Sequence, residues 1–438
     1  MTFQTGLSGL NAASKNLDII GNNIANASTA GAKKSRTEFA EVIASTVGTG
    51  GGSGQGGIGV EISAVSQEFS QGNISVTGNE LDLAINGDGF FPLIPKDSKD
   101  AANKASLYTR SGIFKLDKQG YVVNNNSEKL WGKNITVSGT TETLTEGPLK
   151  INTTASNPPK ATSSIETVFN LNAKETAWTA GSNITTSPLT VTTFDTQGKT
   201  KDVNIYLRKV ADNIWAFGPS KTGADLATYS VSSASPPVVS LTAAAATGAK
   251  DFGLLRFDTS GQLVGSIAYT GTVGALTETT ATTLNIPAGV TSSASTIEFK
   301  GSTQYASNFS LYNLDQNGYA VGAFTGIKIN EDGRITAQYD NGQTSPVCQL
   351  QLVSFSNNQG LQPVGGGNWI ATTTSGDPVP DTPGSGSRGL IRAGALEDSN
   401  VDLTGELVAM MTAQRAYQAN VQTIKTQDQA LSALTNLR

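Results

Sequence analysis

Apolar residues spaced alternately by three and four positions mark both ends of the chain. Near the start, the series is Leu7, Leu10, Leu17 and Ile24, with Ser14 and Gly21 at the intervening positions. Near the end, the series is Leu407, Met410, Tyr417, Val421, Ile424 and Leu431, with Gln414 and Asp428 between them. This heptad spacing predicts two helices, each with one narrow apolar stripe. Because the stripes lie at opposite ends, we expect the chain to double back, so that they bury against each other, against other copies, or both.

Local sequence signals mark where these two helices begin and end. Residues 3–27 predict an amphipathic helix with little charge. Ser399 and Asp402 have the spacing of a capping box, so the last helix is predicted to begin near Asn400 or Val401.

The segment that follows the first helix differs in composition. Residues 33–47 are more polar and predict a shorter, helix-like stretch, and the glycine-rich residues 48–57 predict a flexible loop. From Val60 the apolar period changes to two, and strand-and-turn character continues to about residue 390.

Turn signals recur throughout this region. One pattern, an apolar residue followed by Asp and then by Gly three positions later, occurs at residues 116–120, 194–198, 257–261 and 314–318. The Asp can accept hydrogen bonds from backbone amides ahead of it, and the Gly can adopt positive φ. Further hairpin signals are Asn86-Gly87, Asp332-Gly333 and Asn341-Gly342. The fold class predicted is multidomain and mainly antiparallel β, with the terminal helices paired in a coiled-coil-like core.

Composition narrows the possible partners. Charged residues make up only 15% of the chain, and the net charge is −5. A low-charge surface suits burial against neighbours, because few charges then lose their water. The negative balance argues against nucleic acid as a partner. No apolar run reaches the roughly 18 residues that span a bilayer, and no cleavable signal peptide is visible.

Signals for catalysis or cofactor binding are weak. The chain has no histidine, which excludes a Ser-His-Asp arrangement and removes the commonest metal ligand. A Ser-Lys pair stays open, because the sequence does not show which residues meet. The single cysteine, Cys348, is interpreted as a small buried residue on a strand.

Two further motifs have features of binding sites. Residues 54–59 match the dinucleotide-binding fingerprint in letters, but the required strand before it and helix after it are not predicted. The Asp-rich turns lack the ligand spacing of an EF-hand loop. We therefore expect no catalytic, cofactor-binding or metal-binding residues.

Several motifs, taken in order, resemble the bacterial flagellar rod and hook proteins. At the two ends these are residues 7–10 (Leu-Ser-Gly-Leu), 21–26 (Gly-Asn-Asn-Ile-Ala-Asn), 399–402 (Ser-Asn-Val-Asp) and 413–417 (Ala-Gln-Arg-Ala-Tyr). Further in, residues 82–91, 108–114 and 120–123 resemble the first β-domain of that family, and residues 359–369 resemble a return segment of its hook members. The resemblance covers about residues 1–145 and 314–438.

The resemblance implies a division of the chain into four parts. These are a helical core domain (1–30 and 400–438), linkers (31–69 and 388–399), an inner β-domain (70–145 and 314–387) and an outer β-domain (146–313). The middle of the chain fits a hook protein in length and position more than in motif.

The resemblance also implies a non-enzymatic subunit that polymerises with itself into a curved, hollow tube between the flagellar motor and the filament. Implied partners are the distal rod protein, the hook cap protein, a hook-filament junction protein and the flagellar type III export apparatus. The subunit would lie outside the cell after export without signal cleavage. The expected assembly interface is the ten stripe residues from Leu7 to Leu431 named above.

Three alternatives stay open at this level. The first is a distal rod-type axial protein of the same family. The second is a cofactor-binding enzyme that uses the glycine-rich loop, which a nucleotide-binding assay would test. The third is a secreted adhesin or filament-type β-protein, which would depend on a different export route.

Overall fold

A computed structural model describes residues 2–43, 57–96, 105–138, 141–178, 188–218, 229–231, 239–241, 253–269, 276–279, 283–286 and 295–436. The chain divides into two compact units. Unit 1 comprises Met1–Thr154, Thr325–Gln338 and Thr344–Arg438, and unit 2 comprises Ala155–Phe324 and Tyr339–Gln343. The finer four-part division stays a prediction.

Unit 1 contains both ends of the chain. Its two helices are α1 (Thr2–Ala25) and α2 (Leu403–Asn436), and a short 3₁₀ turn spans Asn358–Gly360. Its strands are β1 (Ser35–Ile43), β2 (Gly57–Gln67), β3 (Ile74–Val76), β4 (Leu83–Asn86), β5 (Phe91–Ile94), β6 (Leu107–Thr109), β7 (Lys115–Leu116), β8 (Val122–Val123), β9 (Lys129–Ser138), β10 (Thr141–Pro148), then, after unit 2, β24 (Phe324–Ile329), β25 (Arg334–Tyr339), β26 (Thr344–Leu350), β27 (Leu352–Ser354), β28 (Gln362–Gly365), β29 (Asn368–Ile370), β30 (Val379–Asp381), β31 (Leu390–Ala393) and β32 (Ala395–Glu397).

Early and late strands of unit 1 pair with one another. β3 pairs with β32 and β4 with β31, while β9 lies between β5 and β26 in the largest sheet. An aromatic cluster of Phe69, Phe90, Tyr108, Phe355 and Trp369 fills one part of the core. The outgoing and returning halves of the chain are therefore held together before the chain reaches α2.

Unit 2 is formed by thirteen strands among the described residues. These are β11 (Ser164–Asn172), β12 (Leu189–Phe194), β13 (Thr200–Ala211), β14 (Ile214–Gly218), β15 (Tyr229–Val231), β16 (Val239–Leu241), β17 (Gly253–Phe257), β18 (Leu263–Tyr269), β19 (Leu276–Thr279), β20 (Thr283–Ile286), β21 (Ser295–Glu298), β22 (Thr303–Tyr305) and β23 (Ser310–Gln316).

Two sheets enclose the core of unit 2. One sheet has six strands in the order β12-β13-β14-β17-β18-β19, and the other has five strands around β11. Phe169, Trp215, Phe217 and Phe299 lie in the shared core, where Trp215 Nε1 donates a hydrogen bond to Gln304 Oε1 at 3.1 Å. Only the pairings of β11 with β21 and β22 are parallel in this sheet, so the mainly antiparallel class is confirmed.

The helix-like interpretation of residues 33–47 is wrong. Residues 35–43 form β1, which pairs antiparallel with β2 along its length, with Phe39 opposite Ile62. Residues 44–47 lie outside the described residues. The sequence Ser-Arg-Thr-Glu-Phe-Ala-Glu-Val-Ile satisfies its backbone in this ladder, whereas a polar helix there would lack an apolar stripe to bury. The alternating strand predicted from Val60 is confirmed as part of β2.

Three of the four Asp-x-x-Gly turns are confirmed. The Oδ1 atoms of Asp117, Asp195 and Asp258 each accept two backbone N–H groups, two and four residues ahead, at 2.7–2.9 Å. The turn predicted at residues 314–318 is wrong. β23 continues through Asp315 because it pairs with β11. The backbone N–H of Gly318 donates to Gln316 Oε1 at 2.7 Å instead of to Asp315.

The hairpin predicted at Asn86-Gly87 is also wrong. β4 pairs with β31 rather than with β5, and a Cβ on Gly87 would lie 2.8 Å from Cα of Gly389. The glycine is therefore needed for a close approach of two chain segments. The turns at Gly333 and Gly342 are confirmed, with φ of 78° and 75°.

The last helix begins later than predicted. Asp402 is its N-cap, since Asp402 Oδ1 accepts the Thr404 N–H at 3.1 Å. Ser399 accepts only the Val401 N–H. Residues before Asp402 stay extended because the Asn400 side chain binds the backbone of Lys34 and Glu68.

Candidate assembly interface

The two helices pack against each other in opposite directions. Asn23 Nδ2 donates to Glu406 Oε2 at 3.2 Å, a Cβ on Gly9 would lie 3.0 Å from Asn420 Oδ1, and one on Gly6 would lie 3.1 Å from Ile424 Cγ1. As the numbers rise along α1, the partners on α2 fall. The helices therefore run antiparallel, and the two glycines allow their backbones to approach. Contact between α1 and α2 is established, while the coiled-coil-like detail of their packing stays a prediction.

Apart from Ile20, the most buried side chains of the two helices are small or polar. On α1, the most buried side chains are Ala12, Ala13, Ile20 and Asn23, and on α2 they are Glu406 and Ala413. The contact within one chain therefore buries little apolar area for two helices of 24 and 34 residues.

The ten predicted stripe residues are only partly buried in the single chain, as far as their side chains are described. Leu7 and Leu407 are 44% and 47% exposed. The others are half-buried: Leu10, Leu17, Ile24, Met410, Tyr417, Val421 and Ile424. Ile424 alone among them is shown against the partner helix, at Gly6. The side chain of Leu431 lies outside those that the structure describes.

One side of the helix pair is covered by the β1–β2 hairpin. The Val60 N–H donates to Ser8 Oγ at 3.3 Å, and the Thr37 hydroxyl donates to Asn16 Oδ1 at 3.1 Å. At 3.6 residues per turn, Leu10, Leu17 and Ile24 lie on the other side of α1 from Ser8 and Asn16. The same geometry on the antiparallel α2 turns Met410, Tyr417 and Val421 toward that side. Both stripes thus share one face of the pair, away from the hairpin.

Asn23 fastens the end of α1 to β1 and to α2. Its Oδ1 accepts the Ser35 N–H at 3.0 Å, and its Nδ2 donates to Ser35 O at 2.8 Å as well as to Glu406. Lys34 Nζ lies 2.8 Å from Glu406 Oε1. The hydrogen bond that Lys34 Nζ donates to the Glu406 carboxylate raises the pKa of Lys34 against the effect of burial.

A buried ion network connects the segment that follows α1 to the strands of unit 1. Lys33 Nζ lies 2.6 Å and Arg110 Nη1 lies 3.2 Å from the two carboxylate oxygens of Glu397, and all three side chains are at most 2% exposed. The Gly72 N–H donates to Glu397 Oε1 at 3.0 Å, and Lys33 Nζ donates to Ser70 O at 2.7 Å. Burial lowers the pKa of Lys33, and the nearby Glu397 carboxylate offsets only part of that effect.

Sequence reasoning missed this polar network. Asn23, Lys33, Arg110, Glu397 and Asn400 were not predicted as interface or positioning residues. One sequence signal was available. In a chain with few charges, a charged residue inside a family-like motif is a stronger indication of a buried ion pair than it would be in a highly charged chain. The partners, however, are separated by up to 383 residues, as for Asn23 and Glu406, so pairing required the fold.

The chemistry available for catalysis is sparse. Among the described residues, no three His, Cys, Asp or Glu side chains cluster as metal ligands. The Asp residues of the confirmed turns are engaged by backbone amides. A groove of about 440 Å³ between the helices and β1 is lined by Ile19, Ala409, Ala413 and polar side chains.

Residues 54–56 of the glycine-rich motif lie outside the described residues, and the rest of it belongs to β2. In the helices that the structure describes, none is long and apolar enough to cross a membrane.

Cys348 is expected to resist thiol reagents in the folded protein. Its side chain is fully buried, and burial raises the pKa of the thiol to about 12, so almost no thiolate forms at neutral pH. Mass spectrometry after maleimide treatment at pH 7.5 should find the native protein unlabelled and the guanidinium-unfolded protein labelled once. Rapid labelling of the native protein would contradict the buried position.

Family models match four stretches of the chain. They are described as flagella basal body rod protein (residues 3–33), flagellar hook protein FlgE/F/G D1 domain (84–153), flagellar basal body protein FlaE D2 domain (170–319) and flagellar basal body rod FlgEFG protein C-terminal (392–437).

Curated relatives match over the full length. Flagellar hook protein FlgE of Salmonella typhimurium strain LT2 is 36% identical over 449 residues, covering 100% of both chains, and that of Escherichia coli K12 is also 36% identical over 449 residues, with the same coverage. Flagellar hook protein FlgE of Rhizobium meliloti is 30% identical, covering 100% of this chain and 98% of its own.

One solved structure has a weaker likeness. The crystal structure of Helicobacter pylori flagellar hook protein FlgE2 has a TM-score of 0.41 at 16% identity, covering 74% of this chain and 100% of that chain, which is too low to support an argument about the fold. The full-length relatives are decisive: the chain belongs to the flagellar hook protein FlgE family, whose members are structural proteins and not enzymes.

Proposed function

We propose that this protein polymerises with itself into the curved, hollow flagellar hook, the flexible joint between the motor rod and the filament. One observation carries the proposal. The terminal helices pair within the chain, yet the apolar stripes of both are only partly covered on one face of the pair, and Leu7 and Leu407 remain exposed. Exposed apolar faces of this kind are typical of surfaces that bind another protein.

The ten stripe residues are the assembly interface in this proposal. Those whose side chains the structure describes are half-buried or exposed within one chain. They leave apolar area that copies of the chain bury on assembly, which is favourable by about 25 cal/mol per Å². The low charge of α1 supports this role, because Lys15 and Asp18 are its only charged residues and both remain exposed.

The wider setting of the proposal follows the family. The subunit passes through the flagellar type III export apparatus without signal cleavage and assembles beneath the hook cap protein. The finished polymer joins the distal rod protein below and a hook-filament junction protein above. It lies outside the cell, as part of the hook and basal body.

The helical ends are expected to be unfolded in the monomer and ordered in the polymer. The contact between α1 and α2 buries few apolar side chains, whereas ordering a residue costs about 1–2 kcal/mol. Brief protease treatment of the monomer should leave a fragment that starts after about residue 30 and ends before about residue 405. The same treatment of polymer should leave full-length chain, and a monomer that resists digestion at both ends would contradict this expectation.

Electron microscopy tests the function itself. Purified protein, concentrated until it assembles, should form curved, hollow tubes in negative stain. Straight tubes would favour the distal rod-type alternative within the same family. If concentrated protein stays monomeric across a range of salt concentration, pH and temperature, the proposed function is wrong.

A further inference from the structure

Two short segments join the helical part of unit 1 to its remaining strands. Residues 68–73 lead from β2 to β3, and residues 398–402 lead from β32 to α2. α1, β1 and β2 precede the first segment, and α2 follows the second, so the chain passes between the two parts twice. We refer to residues 68–73 and 398–402 together as the neck.

The backbones of the two neck segments lie against each other. The Asp398 N–H donates to Asn73 O at 2.8 Å, and a Cβ on Gly72 would overlap Asp398 O. These contacts continue the antiparallel pairing of β3 with β32. Because the segments run side by side, neither can rotate without moving the other.

The side chain of Asn400, from the Ser-Asn-Val-Asp motif at residues 399–402, closes the neck on its helical side. Its Nδ2 donates to Glu68 O at 2.7 Å and to Ser70 Oγ at 3.0 Å. Its Oδ1 accepts the Lys34 N–H at 2.8 Å. One amide thus binds both neck segments and the residue before β1.

Asn400 takes the place of a backbone hydrogen bond at the end of the β1–β2 ladder. The Glu68 N–H donates to Lys34 O at 2.8 Å. In a regular antiparallel pair, the Lys34 N–H would donate to Glu68 O in return. Here both of these groups bind the Asn400 side chain instead. Only a side chain with an acceptor and a donor at the same end can do this, and an amide has both.

The neighbours of Asn400 bind within their own segment. Ser399 Oγ accepts the Val401 N–H at 3.3 Å, and Asp402 Oδ1 accepts the Thr404 N–H at 3.1 Å. Asn400 therefore differs from them in joining the return of the chain to its outgoing part.

We infer that Asn400 is a positioning residue that fixes the direction of the terminal helices relative to the strands of unit 1. This role rests on the proposed function and adds a determinant of the shape of the polymer. Contacts between copies repeat regularly only where every copy has the same shape. A neck without its amide lets helices and strands take different angles in different copies. Curvature then becomes irregular, while the apolar stripes, to which Asn400 does not belong, still assemble.

Asn400→Asp tests the inference with almost no change in side-chain size. The carboxylate still accepts the Lys34 N–H, but it has no proton to donate to Glu68 O or Ser70 Oγ. In negative stain, we expect tubes whose curvature varies along and between them, where the wild type has one curvature. Ser399→Ala is the matched control at the neighbouring residue and should give tubes with wild-type curvature.

A second substitution separates a lost bond across the neck from a general defect in folding. The Ser70 side chain is exposed, so a larger side chain has room there. In Ser70→Asn/Asn400→Asp, the amide introduced at position 70 can donate to the carboxylate introduced at position 400. We expect the double variant to recover uniform curvature, and Ser70→Asn alone to leave the curvature unchanged.

The outcomes separate the inference from the proposed function. Wild-type curvature from Asn400→Asp overturns the inference and leaves the proposed function standing. Irregular tubes from both Asn400→Asp and the double variant also overturn it, because the defect then does not come from the lost bond across the neck. The same holds if Asn400→Asp forms no tubes, since the stripes should assemble without the amide. A wild-type chain that forms no tubes overturns the proposed function, and the role of Asn400 with it.

Discussion

Leu10→Asp and Val421→Asp are expected to abolish polymer formation while leaving the thermal unfolding of the β-rich parts unchanged. Both side chains are half-buried on the shared apolar face of the helix pair, and neither belongs to the buried cores of the sheets. In the proposed polymer this face would be buried away from water, and placing an unpaired carboxylate there would cost several kcal/mol. The penalty recurs at every subunit, so it prevents growth rather than weakening it slightly.

Sedimentation and negative-stain microscopy measure the loss of polymer, and calorimetry of the monomer measures unfolding. Asn11→Asp is the matched control for α1. It adds the same charge one residue away, at an exposed position outside the stripe, and should still form tubes. Normal tubes from Leu10→Asp would show that the heptad stripe is not an assembly surface.

The two helices and three of the four Asp-x-x-Gly turns were predictable because their signals are local. An apolar series at heptad spacing specifies a helix from its own residues, as in α1, and Asp117 forms its turn with amides only two and four residues away. The failures have a common physical cause. Asn86-Gly87 has the letters of a hairpin turn, but β4 pairs with a strand about three hundred residues later, and only the fold reveals that pairing.

The stripe illustrates what a sequence pattern can and cannot assign. Heptad spacing identified the apolar residues of α1, and the structure places residues that it did not identify against α2, including Gly6, Gly9 and Asn23. Small and polar residues give a weak hydrophobic signal, yet they allow two helices to approach closely. A stripe that stays partly uncovered within the chain is the more informative result, because it points to burial between chains.

The Lys33–Glu397–Arg110 network is expected to be the most sensitive polar site in unit 1. Two cations share one carboxylate, and all three are excluded from water. Arg110 Nε has no hydrogen-bond partner among the residues that the structure describes. The carboxylate of Glu397 is thus the group that makes burial of both cations tolerable, and through the Gly72 N–H it also holds the return of the chain.

Glu397→Gln should destabilise unit 1 by about 3–5 kcal/mol, the usual effect of removing one partner of a buried ion pair. The amide keeps the size of the side chain but leaves two buried cations without a counter-charge. Calorimetry measures the change, and hydrogen exchange of peptides from β4 and β31, compared with peptides from β14 and β17, assigns it to unit 1. A change below about 1 kcal/mol would mean that water reaches the network.

Lys33→Met provides the matched comparison. It is expected to lower the free energy of unfolding of unit 1 much less than Glu397→Gln does, because Glu397 then still pairs with Arg110 and no buried charge is left without a counter-charge.

The pH dependence of stability tests whether the Lys33 ammonium is buried away from water. The folded pKa of Lys33 lies below its unfolded value of 10.5, so the penalty for burying its ammonium is full below the folded pKa and disappears as the pH rises toward 10.5. Tyr108 and Cys348 act in the opposite sense, since burial raises the pKa of each to about 12. The difference in stability between wild type and Lys33→Met cancels those two groups. Relative to the variant, the wild type should therefore gain stability as the pH approaches 10.5, and a difference that stays flat with pH would show that Lys33 is not desolvated.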